Sequence, residues 1–123
     1  MGDTPASKTP TPLHGWYFHI LFMDATDKAG DRLPVRAEHL AAVAELERKG
    51  TLFAAGPFLN DQGLPNGSGM FILRATYEEA EAIAKADPFV RDGFRTYRIA
   101  PWRMSEGSFS LRVNLVAKSF AFA

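Results

Sequence analysis

Two titratable side chains in this sequence sit where core residues belong. His39 falls on the apolar stripe of a predicted helix, among Val35, Ala42, Val43 and Leu46, which recur at about 100° per residue. Asp87 falls on the inner face of a second predicted helix, four residues past Ile83. Pro88 follows it and disfavours helical geometry at Asp87. Burying an unpaired carboxylate is costly, and a helix C-terminus disfavours negative charge as well. Both placements demand a partner. The two helices must face the same sheet, so a hydrogen bond between His39 and Asp87 would supply it. The carboxylate would fix the imidazole tautomer and leave the other ring nitrogen to act as general base. A structural reading stands beside this one: His39 satisfying a backbone carbonyl, Asp87 capping a turn.

Arg32 and Arg36 lie four apart on one helical edge beside His39. They could clamp a substrate carboxylate, or pair with Asp31 or Glu38 in solvent. Arg36 is nearer the apolar stripe and is the substrate-binding candidate. Ser68, in a Gly-rich hairpin, could donate a hydrogen bond to a ligand or serve its own turn. His19, on a strand of aromatic neighbours, reads as a satisfied interface histidine. The three histidines lack metal-ligand spacing, and no Cys is present, so neither a zinc site nor a disulfide is expected. No G-x-G-x-x-G, P-loop or H-E-x-x-H motif occurs, and no cofactor is expected.

The elements that must position these residues follow from pattern. Trp16 to Met23 is aromatic and β-branched on both parities, which predicts a central strand covered on both faces. A helix opens at Leu33-Pro34 and ends at Lys49-Gly50. Thr51 to Phe58 predicts a strand cut by Gly56-Pro57, then turns at 61–63 and 65–67, then a strand over 70–73. Thr76-Tyr77-Glu78-Glu79 is a capping box that starts the second helix, and Pro88 stops it. Phe94 to Trp102 predicts a fourth strand, with Tyr97 and Ile99 on one face and Arg98 and Ala100 on the other. The order β-α-β-β-α-β is the ferredoxin-like arrangement: an antiparallel sheet with two helices on one face. The second face then needs another sheet, which predicts a homo-oligomer, a dimer at least.

Composition agrees with one α+β domain. The 123 residues are 46% hydrophobic and 23% charged, and ten Phe supply a large apolar payload. Fourteen basic and fourteen acidic residues cancel, which gives no electrostatic footprint for nucleic acid or membrane and favours self-association. No stretch is long and apolar enough for a membrane span, and the first residues do not resemble a secretory signal. A cytoplasmic protein is the expectation. Residues 1–15, rich in Thr and Pro, read as a disordered arm. The ordered domain is expected over 16–104. Residues 105–123 read as an extension: Phe109, Leu111, Val113 and Leu115 alternate as a half-buried strand, and Phe120 and Phe122 predict docking on a partner subunit.

Several motifs in this order resemble the YCII-related family. Arg32-Leu33-Pro34-Val35-Arg36-Ala37-Glu38-His39-Leu40 resembles its R-x-x-V-R-x-x-H-L helix start, and Ala55-Gly56-Pro57 its A-G-P. Ala86-Asp87-Pro88-Phe89-Val90 with Gly93 resembles its A-D-P-[YF]-V-x-x-G segment, and Asp24 stands at the family's spacing before Arg32. The resemblance implies a ferredoxin-like protomer that dimerises through its sheet into an α+β barrel. It also implies a proposed active site with a His–Asp pair, matched here by His39 and Asp87. A dehydrochlorinase of a chlorinated hydroquinone is a related member, and muconolactone isomerases and small monooxygenases share the barrel. By that analogy the expected chemistry is proton abstraction or elimination on a small molecule, without metal or flavin. The other class that fits is a dimeric binding module in which the pair is structural. Fold does not decide between them.

Overall fold

The computed structural model describes residues 16–122, so the arm at 1–15 lies outside the described residues. The chain runs β1 (Trp16–Ala25), α1 (Leu33–Lys49), β2 (Leu52–Leu59), β3 (Pro65–Leu73), α2 (Tyr77–Ala86), α3 (Pro88–Arg91), β4 (Arg95–Met104), β5 (Leu111–Asn114) and β6 (Ser119–Phe122). The main sheet has the order β2-β3-β1-β4, antiparallel at every pairing. This is the ferredoxin-like α+β topology that the element order predicts.

Strand alternation then sorts the side chains. Leu21 and Met23 of β1 point to the helix side and are fully buried with Phe71, Leu73, Ala80 and Ala84. On the far face, Phe18 stacks between Phe53 and Trp102 at centroid distances of 5.0 and 5.7 Å. Phe53 is the extra residue of a bulge between Leu52 and Ala54. Arg98 lies over Phe22 on this face and pairs with Asp24 at 3.3 Å.

The helix boundaries obey their caps. The Thr76 hydroxyl accepts from the Glu79 amide, and the Glu79 carboxylate accepts from the Thr76 amide, the reciprocal box that the sequence predicts. Gly50 ends α1 in the left-handed region.

Three local expectations need correction. β2 is not cut at Gly56-Pro57 but runs on to Leu59. It is the edge strand, where a proline's missing donor can face away from the ladder. The turn expected at 65–67 lies inside β3, because the Asn60 side chain closes the hairpin earlier by accepting from Gln62 and Leu64 amides. Beyond Met104 the chain pairs with itself, with Leu111 opposite Phe122 and Val113 opposite Phe120. All four residues of β5 are exposed in the protomer, whereas the alternation predicts a half-buried strand.

Candidate functional site

Asp87 is placed by its own neighbours. Pro88 holds it extended (φ −66°, ψ 129°), so α2 stops there and α3 begins at once. One carboxylate oxygen, Oδ1, accepts from the Phe89 amide at 2.9 Å and caps α3. The other, Oδ2, lies 2.6 Å from His39 Nδ1. Asp87 therefore caps a turn and also pairs with the histidine, one oxygen for each task.

His39 is the one buried residue of α1. Its ring packs on Phe89 and Phe71 at centroid distances of 4.8 and 5.9 Å. With Asp87 ionised, Nδ1 is the nitrogen that donates to it, which in a neutral imidazole leaves the lone pair on Nε2. Nε2 has no hydrogen-bond partner among the described residues, while no buried side-chain nitrogen or oxygen there lacks one. Nε2 is thus accessible, and His39 lines a cavity of about 370 Å³.

The cavity lies between α1, the ends of β2 and β3, and α3. Leu40, Val43, Phe71 and Phe89 form its apolar wall, and Arg32, Arg36 and Arg95 bring charge to it. Ala55, Gly56 and Pro57 line it too, so residues from all three quoted motifs converge on one space. Gly69 allows this convergence, since a Cβ there would stand 2.8 Å from the Gly56 carbonyl oxygen.

Arg36 reaches the cavity, as expected of a ligand-binding candidate. Ser68 does not line it. Alternation along β3 sends Phe71 and Leu73 towards the helices and Ser68 the other way, and its hydroxyl accepts from the Ala25 amide at 2.8 Å. His19 is also accounted for: Nδ1 lies 2.7 Å from the Ala75 carbonyl, under α2 rather than on the far face of the sheet. Asp24 belongs to the far face with Arg98 and not to the cavity.

One residue at the site escaped the sequence reading. Arg95 is half-buried at the start of β4, its Nε donating to the Gly67 carbonyl at 2.9 Å and its guanidinium 4.6 Å above the Phe89 ring. Burial pushes its pKa below the ordinary arginine value; the charge of Asp87 opposes this and that of Arg32 adds to it. The signal was parity: residue 95 shares the inward face with Tyr97 and Ile99. Gly67 has φ +95°, and a Cβ there would press on Ala25 at 3.2 Å, so the carbonyl that holds Arg95 comes from a position suited to glycine.

Among the described residues no group of three or more His, Asp or Glu could hold a metal ion, and no helix is long and apolar enough to cross a membrane. Residues 17–103 match the YCII-related domain. No curated protein matches the chain. A similar solved structure is the 5-chloro-2-hydroxyhydroquinone dehydrochlorinase from Burkholderia phenoliruptrix AC1100, in complex with 2,5-dihydroxybenzoquinone. It is 22% identical, with a TM-score of 0.49, over 72% of this chain and 95% of that one.

Proposed function

Because the chain belongs to the YCII-related family, we propose that it is a small-molecule enzyme of lyase or isomerase type that works by proton abstraction. The observation that carries this is the 2.6 Å contact with Asp87 through Nδ1 of His39, a residue that lines a cavity. His39 is the general base, Asp87 the residue that fixes its tautomer, and Arg36 a substrate-binding residue. Nε2 takes a proton from carbon as the C–H bond breaks, and the adjacent carboxylate stabilises the imidazolium that forms. In an elimination the electron pair becomes a C=C bond and the leaving group departs with its own pair; in an isomerisation the proton returns to a different carbon. The dyad is sufficient for either step, so the reading needs no cofactor.

The tautomer is the direct test. Long-range ¹H–¹⁵N spectra at neutral pH are expected to show His39 with its proton on Nδ1 and a lone pair on Nε2. A proton on Nε2 in the resting protein would remove the base and leave a structural pair.

The same proposal makes the protein a homodimer at least, without nucleic-acid or membrane partners. Helices cover one face of the sheet; Ile20, Phe22, Met70 and Ile72 on the other face are half-buried and apolar, which suits the sheet of a second copy. The β5–β6 hairpin shows Val113, Leu115 and Phe120 exposed by 60 to 84% and would dock on that partner. Sedimentation of a chain ending at Ser105 is expected to show a weakened dimer. An oligomer unchanged in size and stability would take the hairpin out of the interface.

A further inference from the structure

The cavity beside His39 holds more positive charge than the protein answers. Arg95, Arg36 and Arg32 all line it, and none has an ion-pair partner among the described residues. The carboxylates around them are engaged elsewhere. Asp87 is taken by His39 and the Phe89 amide. Glu38 and Asp92 both go to Arg91, and Asp31 accepts from the Leu33 amide. Within the cluster, Arg95 spends only Nε on the Gly67 carbonyl, which leaves its terminal nitrogens free. Arg32 gives Nη2 to the Lys28 carbonyl and lies over Phe94. Asp87 offsets part of the charge on Arg95 but is shared with His39, and like charges drawn together at a partly desolvated site are costly unless an anion completes the set.

We propose that this cavity binds a small organic carboxylate with an apolar, ring-sized body. Its carboxylate is held by Arg95 and Arg36, with Arg32 behind them. The chemistry assigned to this ligand rests on the general-base reading of His39; its binding does not. A planar guanidinium with two free terminal nitrogens matches a carboxylate edge-on. The cavity is also lined by Leu40, Val43, Phe71 and Phe89, which favours a carbon skeleton over inorganic phosphate. The volume, about 370 Å³, lies near the lower end of ligand cavities and limits that skeleton to a small one.

On the general-base reading, the proton lost is the one α to that carboxylate. His39 and Arg95 both pack on the Phe89 ring, at 4.8 and 4.6 Å, so base and clamp are one ring apart. In the proposed pose the α-carbon of a carboxylate seated on Arg95 faces Nε2. When that C–H bond breaks, the electron pair spreads into the carboxylate as an enediolate, and the guanidiniums stabilise the added charge. The proton goes to Nε2.

The test uses benzoate as probe, with benzamide as its neutral isostere and acetate as a carboxylate without the ring. Calorimetric titration of the full-length protein at millimolar ligand is expected to show benzoate binding about tenfold or more tighter than either control. Arg95→Gln should lose about the same factor and Arg95→Lys regain part of it, with Arg36→Gln as the second variant should Arg95→Gln fail to fold. Benzamide binding as well as benzoate, acetate binding as well as benzoate, or no saturation by benzoate at all would each overturn the proposal. A His39 proton on Nδ1 with no benzoate binding would sink the carboxylate and spare the base, and benzoate binding with the proton on Nε2 would do the opposite.

Discussion

Helices α1 and α2 share one face of one sheet, yet they meet it differently. α2 lays Ala80 and Ala84 on the core with no exposed surface on either. Its contact is close because its inner residues are small. α1 presents Val43 and Leu46 only partly buried, and its one buried residue is a histidine. A cavity of about 370 Å³ lies under its N-terminal half, and a second, of about 180 Å³, lies further along between Val43, Leu46 and Ile83. The better-packed helix supplies stability, and the looser one leaves room for chemistry. A polar pair spans the gap that apolar packing leaves open.

The contrast can be broken most severely at the pair itself. Asp87→Asn keeps an oxygen for the Phe89 amide but turns an N–H₂ towards Nδ1, which forces the imidazole proton onto Nε2. Turnover in D₂O, read as deuterium incorporation into a small carbon acid, is expected to fall by roughly 10²–10⁴, the range of general-base catalysis. Fold should survive. A variant that loses its structure along with its activity would mean that the dyad holds α1 in place rather than working from it.

A matched pair of overpacking substitutions sharpens the comparison at the next scale. Ala84→Leu in α2 should destabilise by about 1–3 kcal/mol in urea melts, because no space waits for the added atoms. Val43→Leu adds one carbon beside both cavities and should shift stability by less than about 0.5 kcal/mol. Equal losses would show that α1 is as tightly fitted as α2.

The smallest effect concerns the exposed tie between α1 and α3. Arg91 holds Glu38 through two guanidinium nitrogens, one at 3.0 Å, next to the His39–Asp87 contact. Its hydrogen bond keeps the Glu38 carboxyl below its ordinary value of 4.5, and Asp92 is lowered by the same arginine. A carboxylate whose pKa falls on folding stabilises the native state above that ordinary value and stops doing so as pH drops through the folded one. Arg91→Ala should therefore lower Tm slightly at neutral pH and not at all in strong acid. A difference that persists in acid would point to packing by the arginine stem.

Much of this was legible in the sequence because local chemistry and period agree. Thr76 with Glu79, Gly50 and Pro88 fix the ends of the helices by short-range forces, and the misplacement of His39 and Asp87 on apolar stripes was visible as a conflict between residue type and face. What escaped depends on long-range pairing. Pro57 is tolerated only because β2 is an edge strand, which no local pattern states. Arg95 reaches the cavity because Gly67, from another strand, receives its Nε. The tail reads as a strand seeking cover, since alternation reports a strand but not which neighbour it will take.

Asp87 also has something to say about folding order. Its bond to the Phe89 amide spans two residues, while its bond to His39 closes a loop of 48. Short loops close far sooner than long ones. The α2–α3 corner can therefore form early and hold a carboxylate already aimed at an empty place. α1 then docks against a finished fixture, and the histidine proton becomes a reporter of the last step of assembly. In refolding followed by exchange or by NMR, the amide of Phe89 is expected to gain protection before the His39 ring finds its acceptor.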